Sequence, residues 1–285
     1  MFRDLTQPAR SRSSIRRGVG SSVRLLFAEL TRDESRTIAR DGLLVLPVGA
    51  TEQHGPHLPV GTDSIGAEHV ARSAAATVAD RFPVAVAPTL WYGSSPHHIP
   101  FGGTMSLTAG TFLSVLMDLG RSIARASFRR LFIVNGHGGN HELIGLAARD
   151  LALEEGMDVA ACSWWHLAAE GLAAAGAREI GRLPGHAGAF ETSVVLALEP
   201  SLVRNPRPHR PGWVSSVGSI DVPVRVERPG SWEATDGFTD SPAAASEELG
   251  QTFLKIGIES VAAAMIDFHE GSPSAEGTPD ERKRT

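Results

Sequence analysis

Four short apolar runs recur along the chain without alternation: Leu43 to Val48, Val84 to Pro88, Leu131 to Val134 and Val159 to Cys162. Strands covered on both faces read this way. Between them the apolar positions change to a helical spacing. One such stretch is Ile65 to Ala79, with Asp63 or Ser64 placed to cap it. A second is Leu113 to Ala126, with Thr108 or Thr111 at its start. A third is His141 to Glu155, opened by Asn140 and ended near Gly156. The alternation predicts βαβ units and an α/β fold, a mainly parallel sheet sandwiched by helices. Further along, Glu191 to Leu198 reads as a helix stopped by Pro200. Ile220 to Val226 reads as an edge strand or hairpin arm, and Ser246 to Phe268 as a long closing helix.

The two ends carry a different composition. Arg10 to Arg17 holds four arginines and three serines, so residues 1–25 are expected to form a disordered basic arm. Residues 271–285, rich in Pro, Ser, Gly and charge, are expected to form a disordered tail, leaving 26–270 as a single domain. A formal net charge of -5 argues against a nucleic-acid partner. No run approaches 18 uninterrupted apolar residues, which argues against a membrane span. Cys162 stands alone, so a cysteine-based zinc site and an internal disulfide are both excluded, and a reducing cytoplasm is the expected compartment.

Polar clusters at the ends of the apolar elements carry the chemistry. The first strand runs into Thr51 to Asp63, which holds Glu52, His54 and Asp63. The third runs into Asn135-Gly136-His137-Gly138-Gly139-Asn140, and Gly185 to Thr192 brings His186 and Glu191 to the start of a helix. Each residue alone has an ordinary explanation: Asp63 as a helix cap, Glu191 favouring a helix N-terminus, His137 as a turn residue. Together they require five coincidences at element ends, and loops at the carboxyl ends of parallel strands converge. Glu52, Asp63 and Glu191 supply three negative charges, and His54 and His137 are neutral ligands. Two divalent cations and one hydroxide balance that set, with Asp63 as the short bridge. Nitrogen and oxygen donors without sulfur favour Zn or Mn, with Fe as a further option. Such a centre activates water and polarises a carbonyl, which suits amide hydrolysis. His186, outside the ligand set, is the candidate proton carrier to the departing nitrogen.

These motifs resemble the creatininase (creatinine amidohydrolase) family, from about Phe27 to about Asp267. The resemblance rests on Leu46 to His57, Thr62-Asp63, Asn135 to Asn140 and His186 to Ser193. It implies a three-layer α/β fold, a binuclear Zn or Mn centre, hydrolysis of a C–N bond in an amide or cyclic amide, a small-molecule amide substrate and a hexameric homo-oligomer. On this likeness Glu52, His54, Asp63, His137 and Glu191 occupy metal-site positions, His186 that of the catalytic histidine, and Trp165 that of a pocket tryptophan. The chain departs from creatininase itself at Gly138 and Gly139, where that enzyme has Tyr and Glu, and at Arg182, where it has an aromatic residue. The Gly-Gly form resembles formamide hydrolases of flavin and deazaflavin synthesis and the mycofactocin precursor peptidase, so a peptidase maturing a modified peptide is a second expectation. Arg182 would favour an anionic substrate group. A metal-binding scaffold without turnover is the alternative of another class.

Overall fold

All four expected strands form, and they lie parallel. The computed structural model describes residues 25–212 and 228–271. Strand β1 is Leu43–Val48, β2 Val84–Val86, β3 Arg130–Asn135 and β4 Asp158–Ser163, arranged β2-β1-β3-β4. In register, Leu44 of β1 pairs with both Ala85 of β2 and Leu131 of β3. The expected arm (beyond Leu25), the expected tail (beyond Gly271) and the proposed strand Ile220 to Val226 lie outside the described residues.

Side chains of β1 alternate between two cores, as the pleat requires. Leu43 and Val45 join Phe132 and Val134 in one core with helices α2 (Thr62–Val78) and α9 (Glu247–Gly271). Leu46 and Val48 join Leu131 and Ile133 on the other face, under α3 (Ala109–Arg125) and α4 (His141–Glu155). The result is three layers, helix–sheet–helix. Helix α1 (Arg32–Asp41), which the apolar pattern does not announce, buries only Ala39 and packs at the β1 side. Its start is a capping box, Thr31 with Glu34. Three short helices, α5 (Trp164–Leu167), α6 (Ala169–Ala174) and α7 (Ala177–Ile180), follow β4 and lead to α8 (Ala189–Leu198).

Helix α9 is long and apolar enough to cross a membrane. Here Phe253, Val261 and Met265 on it are buried in the main core, and Gly250 presses against the Ser193 carbonyl of α8.

Two capping expectations are corrected. Asp63 lies inside the first turn of α2, whose cap position is Gly61, with no side-chain capping bond. Asn140 stands at the cap of α4 but makes no capping bond either. Both side chains are committed across the sheet end instead. Thr108 does cap α3, accepting from the Thr111 N–H.

Candidate metal centre

In the order β2-β1-β3-β4 the chain leaves β1 in one direction and enters β3 on its other side, so the loops after β1 and β3 flank a switch point. The β1 loop carries Glu52, Gln53 and His54, and the first turn of α2 adds Asp63. His137 follows β3, and Glu191 sits in the first turn of α8.

Asparagines 135 and 140 hold these loops in register. Asn135 Oδ1 accepts the His137 N–H at 3.1 Å, and its amide donates to the His137 carbonyl at 2.6 Å and to Ser163 Oγ at 2.8 Å. The Asn140 amide donates to the Gly49 carbonyl at 3.0 Å and to Asn135 Oδ1 at 3.2 Å, while its oxygen accepts the Ser94 N–H at 2.9 Å. The ends of β1, β2 and β3 are thereby stitched together. Gly136 lies so close to the Asp63 carbonyl that a side chain there would collide with it.

Each of two imidazoles is pinned by its outer nitrogen to a backbone carbonyl. His54 Nδ1–H donates to the Glu52 carbonyl at 3.1 Å, and His137 Nε2–H to the Ser94 carbonyl at 3.0 Å. The inner nitrogens then face carboxylates. His54 Nε2 lies 3.1 Å from Asp63 Oδ1 and 3.7 Å from Glu191 Oε2. His137 Nδ1 lies 3.1 Å from Asp63 Oδ2 and 3.3 Å from Glu52 Oε1. Among the described residues, both oxygens of Glu52 and Oδ2 of Asp63 are buried without a hydrogen-bond donor in good geometry. Lone pairs converging from two imidazoles and three carboxylates need a cation. The donors fall into groups close enough to share an ion: His54, Asp63 and Glu191 in one, and Glu52, His97 and His137 in another. A third group joins Glu52, His54 and His186. With one oxygen toward each imidazole, Asp63 sits where a bridging ligand would.

The electrostatics carry the same message. Burial opposes charge on His54, but Asp63, Glu191 and Glu52 outweigh it and raise the imidazole to about 10. Burial likewise opposes charge on His137, and Glu52 and Asp63 raise it well above its ordinary value. Burial would raise Asp63, yet His54 and His137 pull it down. Glu191 is pushed up to about 8, chiefly by burial. Protons on the two histidines do here what divalent ions would do better.

His186 belongs to the same cluster. Its Nδ1 is 3.4 Å from Glu52 Oε1 and its ring centroid 4.4 Å from that of His54. Burial, followed by the neighbouring histidines, holds it well below its ordinary value, so it is neutral. Trp165 is buried in the main core, edge-on to Trp164. It lines a small cavity with Asp63 and Glu191, and its indole N–H has no partner among the described residues. The backbone N–H of Arg182 donates to Asp240 at 3.2 Å, and its charge acts on the same carboxylate.

Several groups at the centre carry no mark in the sequence. Gln53 reaches both His98 and His186, at 3.0 Å each. Trp232 roofs the histidines, its ring 4.6 Å from His98 and 5.0 Å from His97. Thr239 and Asp240 hold the His186 segment. Nothing in the sequence pattern separates His97 and His98 from solvated histidines.

A parallel sheet with imidazoles and carboxylates converging at its carboxyl end defines an α/β protein with a candidate metal centre. The chain belongs to the creatininase family: the family described as creatinine amidohydrolase matches residues 28–265. The mycofactocin precursor peptide peptidase of Mycobacterium tuberculosis is 39% identical over 175 residues, which cover 58% of this chain. The match spans 61% of that peptidase's length. The creatinine amidohydrolase of Pseudomonas putida is 33% identical over 251 residues, covering 81% of this chain and 92% of that one. A mutant creatininase of Zn-Zn type superposes with a TM-score of 0.72 at 30% identity, covering 88% of this chain and 100% of the other.

Proposed function

We propose that this chain is a metal-dependent amidohydrolase that cleaves a C–N bond in an amide or cyclic amide. The observation that carries the reading is Asp63, whose two oxygens face the inner nitrogens of His54 and His137. His54, Asp63 and Glu191 would hold one divalent ion, and Glu52, Asp63 and His137 the other. Zinc and manganese suit these nitrogen and oxygen donors, with iron a further option. When bound, such ions make water acidic enough to attack at neutral pH and polarise the carbonyl.

The remaining work falls to the protein. His186 Nε2 lies 2.9 Å from the Gln53 carbonyl, to which its N–H donates. That bond leaves the Nδ1 lone pair facing the cluster, ready to take a proton from the attacking water. As the water oxygen bonds to the carbonyl carbon and the C–N bond breaks, His186 Nδ1 hands its proton to the departing nitrogen. The products are a carboxylate and an amine. Trp165 would wall the pocket, and Arg182 would receive an anionic substrate group. The lone Cys162 suits a cytoplasmic protein, and family likeness supports a homo-oligomer.

Similarity to the mycofactocin precursor peptide peptidases supports a second reading, in which the amide belongs to a modified peptide. Val60, Trp91, Ile99 and Met105 are exposed apolar side chains on the loops that carry the donors, and they suit a peptide better than a small ring.

The test is metal content per chain, paired with a panel of creatinine, cyclic imides, formamides and a peptide amide. Two metals with turnover of one member supports the reading and selects the substrate class. Failure to take up zinc or manganese overturns it.

A further inference from the structure

His98 occupies the turn Pro96–Phe101 after β2 and is 1% exposed. Its ring stacks on His186, centroids 3.9 Å apart at 19°, and meets Trp232 edge-on. One neighbour fixes its tautomer. The Gln53 side-chain oxygen accepts the Gly55 N–H at 2.9 Å, and its nitrogen donates to the Gly237 carbonyl at 3.2 Å, so the amide can be oriented only one way. An amide nitrogen has no lone pair to offer, so His98 Nδ1, 3.0 Å away, must be the acceptor.

The same nitrogen also lies 3.0 Å from His186 Nε2, but Gln53 has only two hydrogens to give. Giving them to Gly237 and His98, while His186 donates to the Gln53 carbonyl, satisfies the Gln53 amide, His186 Nε2 and His98 Nδ1. The hydrogen of His98 is then on Nε2. That atom is buried, has no hydrogen-bond partner among the described residues, and stands 3.7 Å from Glu52 Oε1, too far for a bond. Because Nδ1 accepts from Gln53 it carries no hydrogen, so the ring is the neutral form. A nitrogen that carries hydrogen cannot ligate a metal, and the other nitrogen is engaged by Gln53. What remains is a neutral, pre-aimed N–H donor beside the carboxylate that would hold an ion.

We propose that His98 is a catalytic residue whose Nε2–H, fixed by Gln53, donates a hydrogen bond to the carbonyl oxygen of the scissile amide and to the oxyanion formed when water attacks. This rests on the amidohydrolase reading. A neutral imidazole suits the role, because it stabilises developing negative charge without surrendering its proton.

Two measurements decide it. Nitrogen NMR of the full chain labelled at histidine, loaded with zinc at neutral pH, should show His98 as the Nε2–H tautomer. An Nδ1–H tautomer or an imidazolium overturns the proposal. In kinetics on the metal-loaded enzyme, using the panel member turned over fastest, His98→Ala should lower kcat by roughly 10²–10³-fold. Metal content should stay at the wild-type level, and His98→Gln, which keeps an N–H, should recover part of the rate. A His98→Ala variant within about threefold of wild type, or one that loses its metal together with its activity, overturns the proposal and leaves the amidohydrolase reading intact. A metal-loaded wild type that hydrolyses no panel member overturns both.

Discussion

His186 and Thr239 hold each other through two hydrogen bonds. The His186 N–H donates to Thr239 Oγ1 at 2.8 Å, and the Thr239 N–H donates to the His186 carbonyl at 2.9 Å. Beside them the buried Asp240 carboxylate accepts the N–H groups of Ala189 at 2.7 Å and Arg182 at 3.2 Å, and the Thr239 hydroxyl at 3.1 Å. One carboxylate therefore frames the segment that carries both His186 and Glu191. Asp240→Ala would leave two N–H groups without their acceptor, and should destabilise the fold by about 2–4 kcal/mol. Urea unfolding reads the loss. An unchanged midpoint would remove Asp240 from this framing role.

Asp63 is expected to control both halves of the metal centre. Asp63→Asn keeps the size of the side chain but replaces one acceptor oxygen with a donor and removes the charge. Loading should fall for both ions, by more than the ~10–100-fold that loss of an outer hydrogen bond costs. Metal analysis after dialysis against limiting zinc checks this. Retention of one tightly held ion would show that Asp63 serves one side only.

The strands were legible because burial on both faces leaves an unmistakable run, and β1 falls on Leu43 to Val48 as read. The convergence of Glu52, His54, Asp63, His137 and Glu191 was legible because unpaired carboxylates and imidazoles are costly at strand ends. Asp63 misled as a helix cap, and Asn140 stands at the cap of α4 without making the capping bond. Their residue types favour that local role, and the competing partners, His54, His137 and Gly49, come from other segments. Gln53 meets Gly237 across 184 residues, and Asp240 meets Ala189 across 51, so no local pattern could announce either. The histidine pair shows the same limit. His97 and His98 are neighbours, yet only the fold gives His98 a partner that fixes its tautomer. Helix α1 was missed for a different reason: it buries little, and its capping box, Thr31 to Glu34, was the one sign it offered.

Gly138 and Gly139 are not equivalent. A side chain at Gly138 would meet open space. One at Gly139 would collide with the Ser94 carbonyl and with His137 Nε2, the two partners in the outer hydrogen bond of His137. Gly139→Ala should therefore misalign His137 and weaken metal binding by about 10–100-fold, with Gly138→Ala near wild type. A zinc competition titration with a chromophoric chelator separates the two. Equal behaviour of the pair would show that the collision relaxes without moving the imidazole.

Metal binding should release protons, and the sign of every pH effect follows from that. In the metal-free protein burial opposes charge on His54, yet Asp63, Glu191 and Glu52 raise it from 6.5 to about 10. His137 is raised well above its ordinary value against the same burial. Glu191 is raised from 4.5 to about 8 by burial. At these three groups the metal-free fold holds more protons than the unfolded chain. Their contribution to stability is lost as pH rises, through the window from 4.5 to 8 for Glu191 and from 6.5 to about 10 for His54, whereas His98 and His186, depressed by burial, contribute stability that is lost as pH falls below 6.5. An incoming ion needs these sites free of protons, so apparent affinity moves the other way and rises with pH. Near neutral pH, filling both sites should release about two to three protons: one from each imidazole and most of one from Glu191. Calorimetric titration of the metal-free chain with zinc, in buffers of different protonation enthalpy, counts them directly. Release of fewer than about one proton would mean that His54 and His137 are not displaced from their carboxylates, and that the ion binds elsewhere.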